Sequence, residues 1–204
     1  MTAAPAVPVA QRKRGAALED AILAAAYDEL TETGYASFSV EGVAARARTG
    51  KASIYRRWPT KQLLVLDALC DTLPTAQQCG IAVAFDESVT TTQALHLVAR
   101  NIAAVLESPA GNAMRAIKCE AFSDPELART VDERFQAPRR AALLALLERG
   151  VERGEVRAEA VTDLVADVLP AVIAHRVILM REPVTEHDIS AIIDEILVPL
   201  VEVR

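Results

Sequence analysis

Residues 39–61 read SVEGVAARARTGKASIYRRWPTK. No acidic residue falls between Glu41 and Asp67, yet Arg46, Arg48, Lys51, Arg56, Arg57 and Lys61 all do, in a chain whose net charge is -6. Apolar positions recur here at helical spacing in two short blocks: Val40, Val43, Ala44 and Ala47, then Ile54 and Trp58. The interruption, Arg48-Thr49-Gly50, is too short for a free loop. Two short helices joined by a tight turn, with bases gathered on the second, is what a helix-turn-helix DNA reader requires. A slim second helix enters the major groove, where Lys, Arg, Ser and Tyr reach phosphates and base edges.

The whole chain supports that local reading. Its 204 residues, 51% apolar and 25% charged, suffice for a small domain plus a larger one. Aromatics are sparse, and abundant Ala, Leu, Val, Glu and Arg favour helices. An all-α chain of about nine helices is expected. The acidic pI near 5.2 argues against a nucleic-acid coat or a general membrane-surface binder. Charge is nevertheless divided: residues 1–62 hold nine bases and six acids, the remainder thirteen and twenty-two. Cys70, Cys79 and Cys119 are odd in number and lack metal-ligand or disulfide spacing, so no metal site or cofactor is expected, and a reducing cytoplasm is the simplest setting. The N-terminal MTAAPAVPVAQRKRG puts its bases after an apolar part broken by Pro5 and Pro8; it is read as neither signal peptide nor membrane span.

Taken in order, residues 1–14 read as a disordered basic tail, either solvated or lying along DNA through Arg12-Lys13-Arg14. A first helix over 16–33 is stopped by Gly34, and Ser39 is placed to cap the second. Residues 15–62 make the DNA-binding domain, and 63–204 a second, helical domain. In the third helix Ile54 and Trp58 point inward. The outward face then carries Lys51, Ala52, Ser53, Tyr55, Arg56 and Arg57, preceded by Thr49 and Gly50. Lys51 and Tyr55 suit phosphates, Ala52 lets the backbone approach bases, and Arg56 is the candidate for a bidentate guanine contact. Arg57 serves either a phosphate or an internal acid. Thr60 caps a fourth helix, and Lys61 at its start is placed for a phosphate. A connector over 74–92 precedes helices at 93–107 and 110–122, a long helical stretch 126–153 with a break at Pro138, and two very apolar helices at 161–181 and 186–202.

The segment VEGVAARARTGKASIYRRWPTKQLL resembles the operator-binding segment of the tetracycline-repressor (TetR) family of bacterial regulators. The matching positions are Lys51, Ala52, Ser53, Ile54, Tyr55, Trp58 and Lys61. One departure stands out: the family's usual turn glycine is replaced by Arg48, with Gly50 two places later, so either the turn is rearranged or Arg48 adopts a left-handed conformation. Further on, PRRAALLALLERGVERGEVR resembles an actinobacterial-type subgroup in which an Arg-Gly-Glu-x-Arg signature closes a helix, here Arg153 to Arg157.

The resemblance implies a homodimer on a double-stranded operator, a phosphate near Ser39 at a helix start, and an effector pocket in the second domain. Helices as apolar as the last two need cover on both sides, which a four-helix subunit interface provides. Leu164, Val168, Val172, Ile189, Ile193, Ile196 and Leu200 are its expected members. For the pocket, His96, Arg100, Asn101, Met114, Cys119, Phe122, Phe135 and His175 are the candidates. No phosphate-binding glycine loop, nucleophile elbow or metal grouping is present, so no enzyme is expected. Two alternatives stay open: a dimeric regulator that docks a partner without a ligand, and a helical enzyme or carrier using the C-terminal cavity.

Overall fold

The computed structural model describes residues 9–72 and 88–203, with side chains from Gly15 onward. Among these residues there are nine helices, in two compact units divided between Thr72 and Leu73. The first unit holds α1 (Val9–Ser37), α2 (Val40–Arg46), α3 (Lys51–Tyr55) and α4 (Lys61–Thr72). The fourth helix therefore packs with the reader, chiefly on α1, rather than opening the second domain at residue 63. The first helix also starts earlier than the periodicity places it. Pro8 cannot continue a helix, but the residues after it can, so the backbone from Val9 is helical rather than part of a tail. Residues 1–8, the side chains of the Arg12-Lys13-Arg14 arm, and most of the 74–92 connector with Cys79 lie outside the described residues.

Gly34 bends α1 with φ 75° and ψ 163°, outside the helical region, and returns the chain through Phe38 to α2. The core of this unit is Ile22, Ala26, Leu30, Val43, Ile54, Trp58, Leu64, Val65 and Leu69, all buried. Removing each large side chain from water contributes roughly 1.5–3 kcal/mol, and this fixes the orientation of the short α2 and α3, which are too brief to be stable alone.

In the second unit α5 (Thr91–Glu107) starts from a Thr90–Gln93 capping box. Next come α6 (Pro109–Ala121) and α7, which joins Pro125–Val131 to Ala137–Glu152 through a π turn at Asp132–Gln136. Pro138 does not break α7 as its sequence suggests. The wider π turn just before it accommodates a residue that cannot donate to the ladder. Similarly, α8 runs Asp163–Ala174 into a π segment His175–Met180, and α9 joins Glu186–Ala191, a π segment Ile192–Leu197 and Val198–Val201. The core is shared by α5, α7, α8 and α9 through Leu95, Val98, Leu146, Leu169, Ile173, Ile189, Ile193 and Leu197. Ile189 and Ile193 thus fill the core of the second unit itself, whereas Leu164 (78% exposed), Ile196 and Leu200 face outward with Leu179. Val168 and Val172 are half-buried against the core.

The Arg153–Arg157 segment explains why that pattern closes a helix. Gly154 takes φ 71° past the end of α7, where a side chain would be strained. Arg153 donates to Val89 O (2.6 Å) and pairs with Glu155 (3.0 Å), whose carboxylate accepts from Thr91 N (2.6 Å). Arg157 donates to Leu200 O, and Val156 bridges to Glu202. Five consecutive residues tie the end of α7 to the start of α5 and the end of α9. Among the described residues no helix is long and apolar enough to cross a membrane, and no cluster of metal-ligating side chains occurs.

Candidate nucleic-acid interface

Ser39 is extended (φ -131°) and its Oγ accepts from Gly42 N at 3.0 Å, capping α2. The same hydroxyl donates to Glu29 Oε1 (3.3 Å), and Glu29, only 6% exposed, also accepts from Arg46 Nε (2.9 Å). Arg46 reaches Glu32 through both terminal nitrogens (3.0 and 2.6 Å). Hydrogen bonds to Glu32 and then Glu29 push the Arg46 guanidinium further up, so this base is an internal strut between α1 and α2.

The turn resolves the Arg48 question. Arg48 takes φ 50° and Gly50 takes φ -89°, so the left-handed position is held by arginine, not by the glycine. Hydrogen bonds Thr49 N to Ala44 O (3.0 Å) and Ala47 N to Val43 O (2.9 Å) hold it there. Gly50, extended, then serves as the N-cap residue of α3.

Along α3 the structure brings Lys51, Ala52, Tyr55 (47% exposed) and Arg56 to solvent on one face, with Arg48 exposed in the turn before them. Their spacing of one, four and five residues spans about 140° of helix circumference. Ser53 and Thr49 are half-buried. Lys51 is engaged by Glu41 at 2.6 Å; this hydrogen bond holds the Glu41 carboxyl below, and the Lys51 ammonium above, their ordinary ranges. Arg48 and Arg56 have no side-chain partner among the described residues. Trp58, 4% exposed, donates its indole N–H to Asp67 (2.8 Å), anchoring the exit of α3 on α4.

Two predicted contacts have internal roles. Arg57 donates to Ser53 O (3.0 Å) and lies 4.0 Å from Glu19. Lys61 donates to Tyr35 O (2.6 Å) and sits over the Tyr35 ring at 4.4 Å, fastening α4 to the connector after Gly34. Sequence spacing had no means of showing this, because the acceptor is 26 residues away.

The second unit contains a cavity of about 370 Å³ between α5, α6, α7 and α8. Asn101, Met114 and Phe135 line it, as the sequence suggests. The other candidates lie outside. His96 faces Asp194 at 3.9 Å, Arg100 pairs with Glu186 at 2.8 Å, Cys119 and His175 are exposed, and Phe122 is 91% exposed. The lining is instead completed by Lys118, Gln136, Arg139, Arg140 and Asp167 among apolar side chains. Gly111 allows the α5–α6 junction to close beside it, since a Cβ there would collide with the Val105 and Leu106 carbonyls.

This geometry has counterparts among known proteins. Residues 22–68 match the family described as bacterial regulatory proteins, tetR family, and residues 88–196 match the tetracyclin repressor-like C-terminal domain. The helix-turn-helix-type transcriptional regulator YdeS of Bacillus subtilis is 31% identical over 145 residues, covering 69% of this chain and 70% of that protein. A second such regulator, Mb1581 of Mycobacterium bovis, is 30% identical over 184 residues, 89% of this chain and 86% of its own length. The crystal structure of a TetR-family regulator from Mesorhizobium loti superposes with a TM-score of 0.71 at 20% identity, over 93% of this chain and 99% of the other. Reader and C-terminal domain alike are accounted for by these matches: the chain belongs to the TetR family and is a helix-turn-helix, DNA-binding transcriptional regulator, not an enzyme.

Proposed function

We propose that the protein is a homodimeric, cytoplasmic repressor, of the subgroup marked by the Arg153–Arg157 signature, that leaves a palindromic operator when a small molecule fills the 370 Å³ cavity. The observation that carries the effector reading is that cavity. Its volume lies in the ~300–1,000 Å³ range of small-molecule sites, and its lining is mostly apolar with a few polar groups. The dimer is supported by the outward apolar face of Leu164, Leu179, Ile196 and Leu200 on α8 and α9. Base reading falls to Arg56 and close backbone approach to Ala52; Lys51, Tyr55 and Arg48 take phosphates, with Ser39, Thr49, Gly50 and Ser53 at the helix starts behind them. Arg57 and Lys61 position this surface from within. An effector that binds the operator-incompetent arrangement more tightly lowers operator affinity by that difference.

The test is selection of genomic fragments by the purified protein, followed by stoichiometry on the best fragment and its release by small molecules. One dimer per enriched site, released by a compound that also raises thermal stability, is expected. A monomer that binds without release removes both the dimer and the effector from the reading.

A further inference from the structure

Residues 63–204 contain thirteen basic side chains, and twelve of them are arginine; Lys118 on α6 is the exception. It lines the cavity, in a wall made largely of apolar groups such as Val98, Ile102, Met114, Leu143 and Pro170. The difference between the two bases matters there. Arginine keeps its proton whatever surrounds it, whereas lysine gives its proton up when burial makes the charge costly. Arg139 and Arg140 line the same cavity, each held in place: Arg140 pairs with Asp167 at 3.0 Å, and Arg139 donates to Phe135 O at 2.9 Å. Lys118 has no hydrogen bond or ion pair among the described residues. Burial first, and the neighbouring Arg139 charge second, push its ammonium below the ordinary lysine range. A half-buried amine with no acceptor to hold its protons, facing a mostly apolar space, is a nucleophile.

We propose that Lys118 captures an apolar aldehyde in the cavity as an imine, the alkyl or aryl chain lying along the apolar wall. This rests on the effector reading above and adds the reacting group. The Nζ lone pair adds to the aldehyde carbon, and the carbonyl oxygen takes a proton shed by the nitrogen, giving a carbinolamine. That oxygen then leaves as water with the second amine proton, and the C=N bond remains. No oxidant or reductant is consumed. The imine is neutral, so the buried nitrogen no longer carries a charge to be solvated. Water adds back once the aldehyde is depleted, so capture is reversible, as an effector requires. An ester would instead acylate the amine for good.

The experiment incubates the full-length protein with hexanal, octanal or 3-phenylpropanal and cyanoborohydride, which reduces an imine to a stable secondary amine, and locates the adduct by peptide mass mapping. Release of an operator fragment is measured in parallel for each aldehyde and its alcohol, on wild type, Lys118→Arg and Lys118→Met. Alkylation at Lys118 is expected about tenfold or more faster than at Lys51, whose hydrogen bond to Glu41 keeps it protonated. At least one aldehyde should release the operator at about tenfold lower concentration than its alcohol. In both variants aldehyde and alcohol should act alike. The proposal is overturned if wild-type Lys118 is alkylated no faster than Lys51, a result that needs no variant to fold, or if Lys118→Arg keeps the aldehyde's advantage. Aldehyde and alcohol that release the operator equally, with no adduct at Lys118, would sink the imine but leave the effector reading intact. Rapid adduct formation at Lys118 with unchanged operator affinity would do the reverse.

Discussion

Gly42→Ala in α2 sets two physical effects against each other. In an exposed helix interior, alanine is favoured over glycine by about 0.8–1 kcal/mol. Here an added Cβ would land on the Glu29 carboxylate. That carboxylate is the end of a flexible side chain and can swing away, but only by leaving Ser39 and Arg46 (3.3 and 2.9 Å) from a site where Glu29 is almost wholly buried. Losing a hydrogen bond to a buried charged group costs about 1.5–3 kcal/mol. The net expectation is a loss of about 1–2 kcal/mol. With a urea dependence near 1 kcal/mol per molar for a unit of this size, the midpoint falls by about 1–2 M. Trp58 is the sole tryptophan and lies buried in the first unit, so its fluorescence reads unfolding of the reader itself. In a Glu29→Ala background the space is open, and Gly42→Ala should then be neutral or stabilising. A midpoint for Gly42→Ala at or above that of the wild type would show that Glu29 is not pinned by Ser39 and Arg46.

Three further outcomes follow from the same geometry. Glu41→Gln frees Lys51 from its 2.6 Å partner and removes an acid beside the reading face, so DNA affinity should rise about two- to fivefold at low salt and converge with wild type at high salt, in fluorescence anisotropy titrations. Gly111→Ala places a Cβ against the backbone carbonyls of Val105 and Leu106, which cannot rotate aside; thermal melts should show a loss of about 1–3 kcal/mol, and an unchanged melt would contradict the close α5–α6 junction. Lys118→Met should be more stable than wild type at neutral pH. Burial, and then the neighbouring Arg139 charge, depress the folded-state lysine pKa, so the unfolded chain binds the proton more tightly; wild-type stability therefore recovers as pH rises through that depressed value toward about 10.4, and the gap closes. A gap that widens with pH would show that Lys118 is not penalised by burial.

The parts of the fold legible in the sequence are those set by local spacing. The α2–turn–α3 segment, its Ser39 cap and the Thr60 start of α4 all depend on neighbours within a few residues. What was not legible depends on distant partners. Arg46 and Lys61 looked like free bases because Glu29, 17 residues away, and Tyr35 O, 26 away, are invisible to spacing. The apolar surplus of α8 and α9 announced two buried faces, but a 3.6-residue period could not sort them. The π segments His175–Met180 and Ile192–Leu197 add to the difficulty by shifting side-chain direction partway along each helix, so Ile193 faces inward and Ile196 outward. The cavity's polar groups were likewise hidden: Lys118, Arg139 and Asp167 belong to three different helices, and no motif links them.

As proposed above, Arg56, Lys51 and Arg48 form the exposed cationic face of a dimeric sequence reader. Footprinting on the best selected fragment, combined with salt titration of wild type and Arg56→Ala, probes that face. Three exposed cations per protomer, doubled by the two-fold and scaled by about 0.9 each, predict a log–log salt slope near -5 and protected half-sites about 34–36 Å apart or a multiple of that. Arg56→Ala should lose preference for the selected site over random DNA and shallow the slope by about one to two. An asymmetric single footprint would contradict a dimeric reader, and an Arg56→Ala variant that still distinguishes the selected site as well as wild type does would remove Arg56 from base reading.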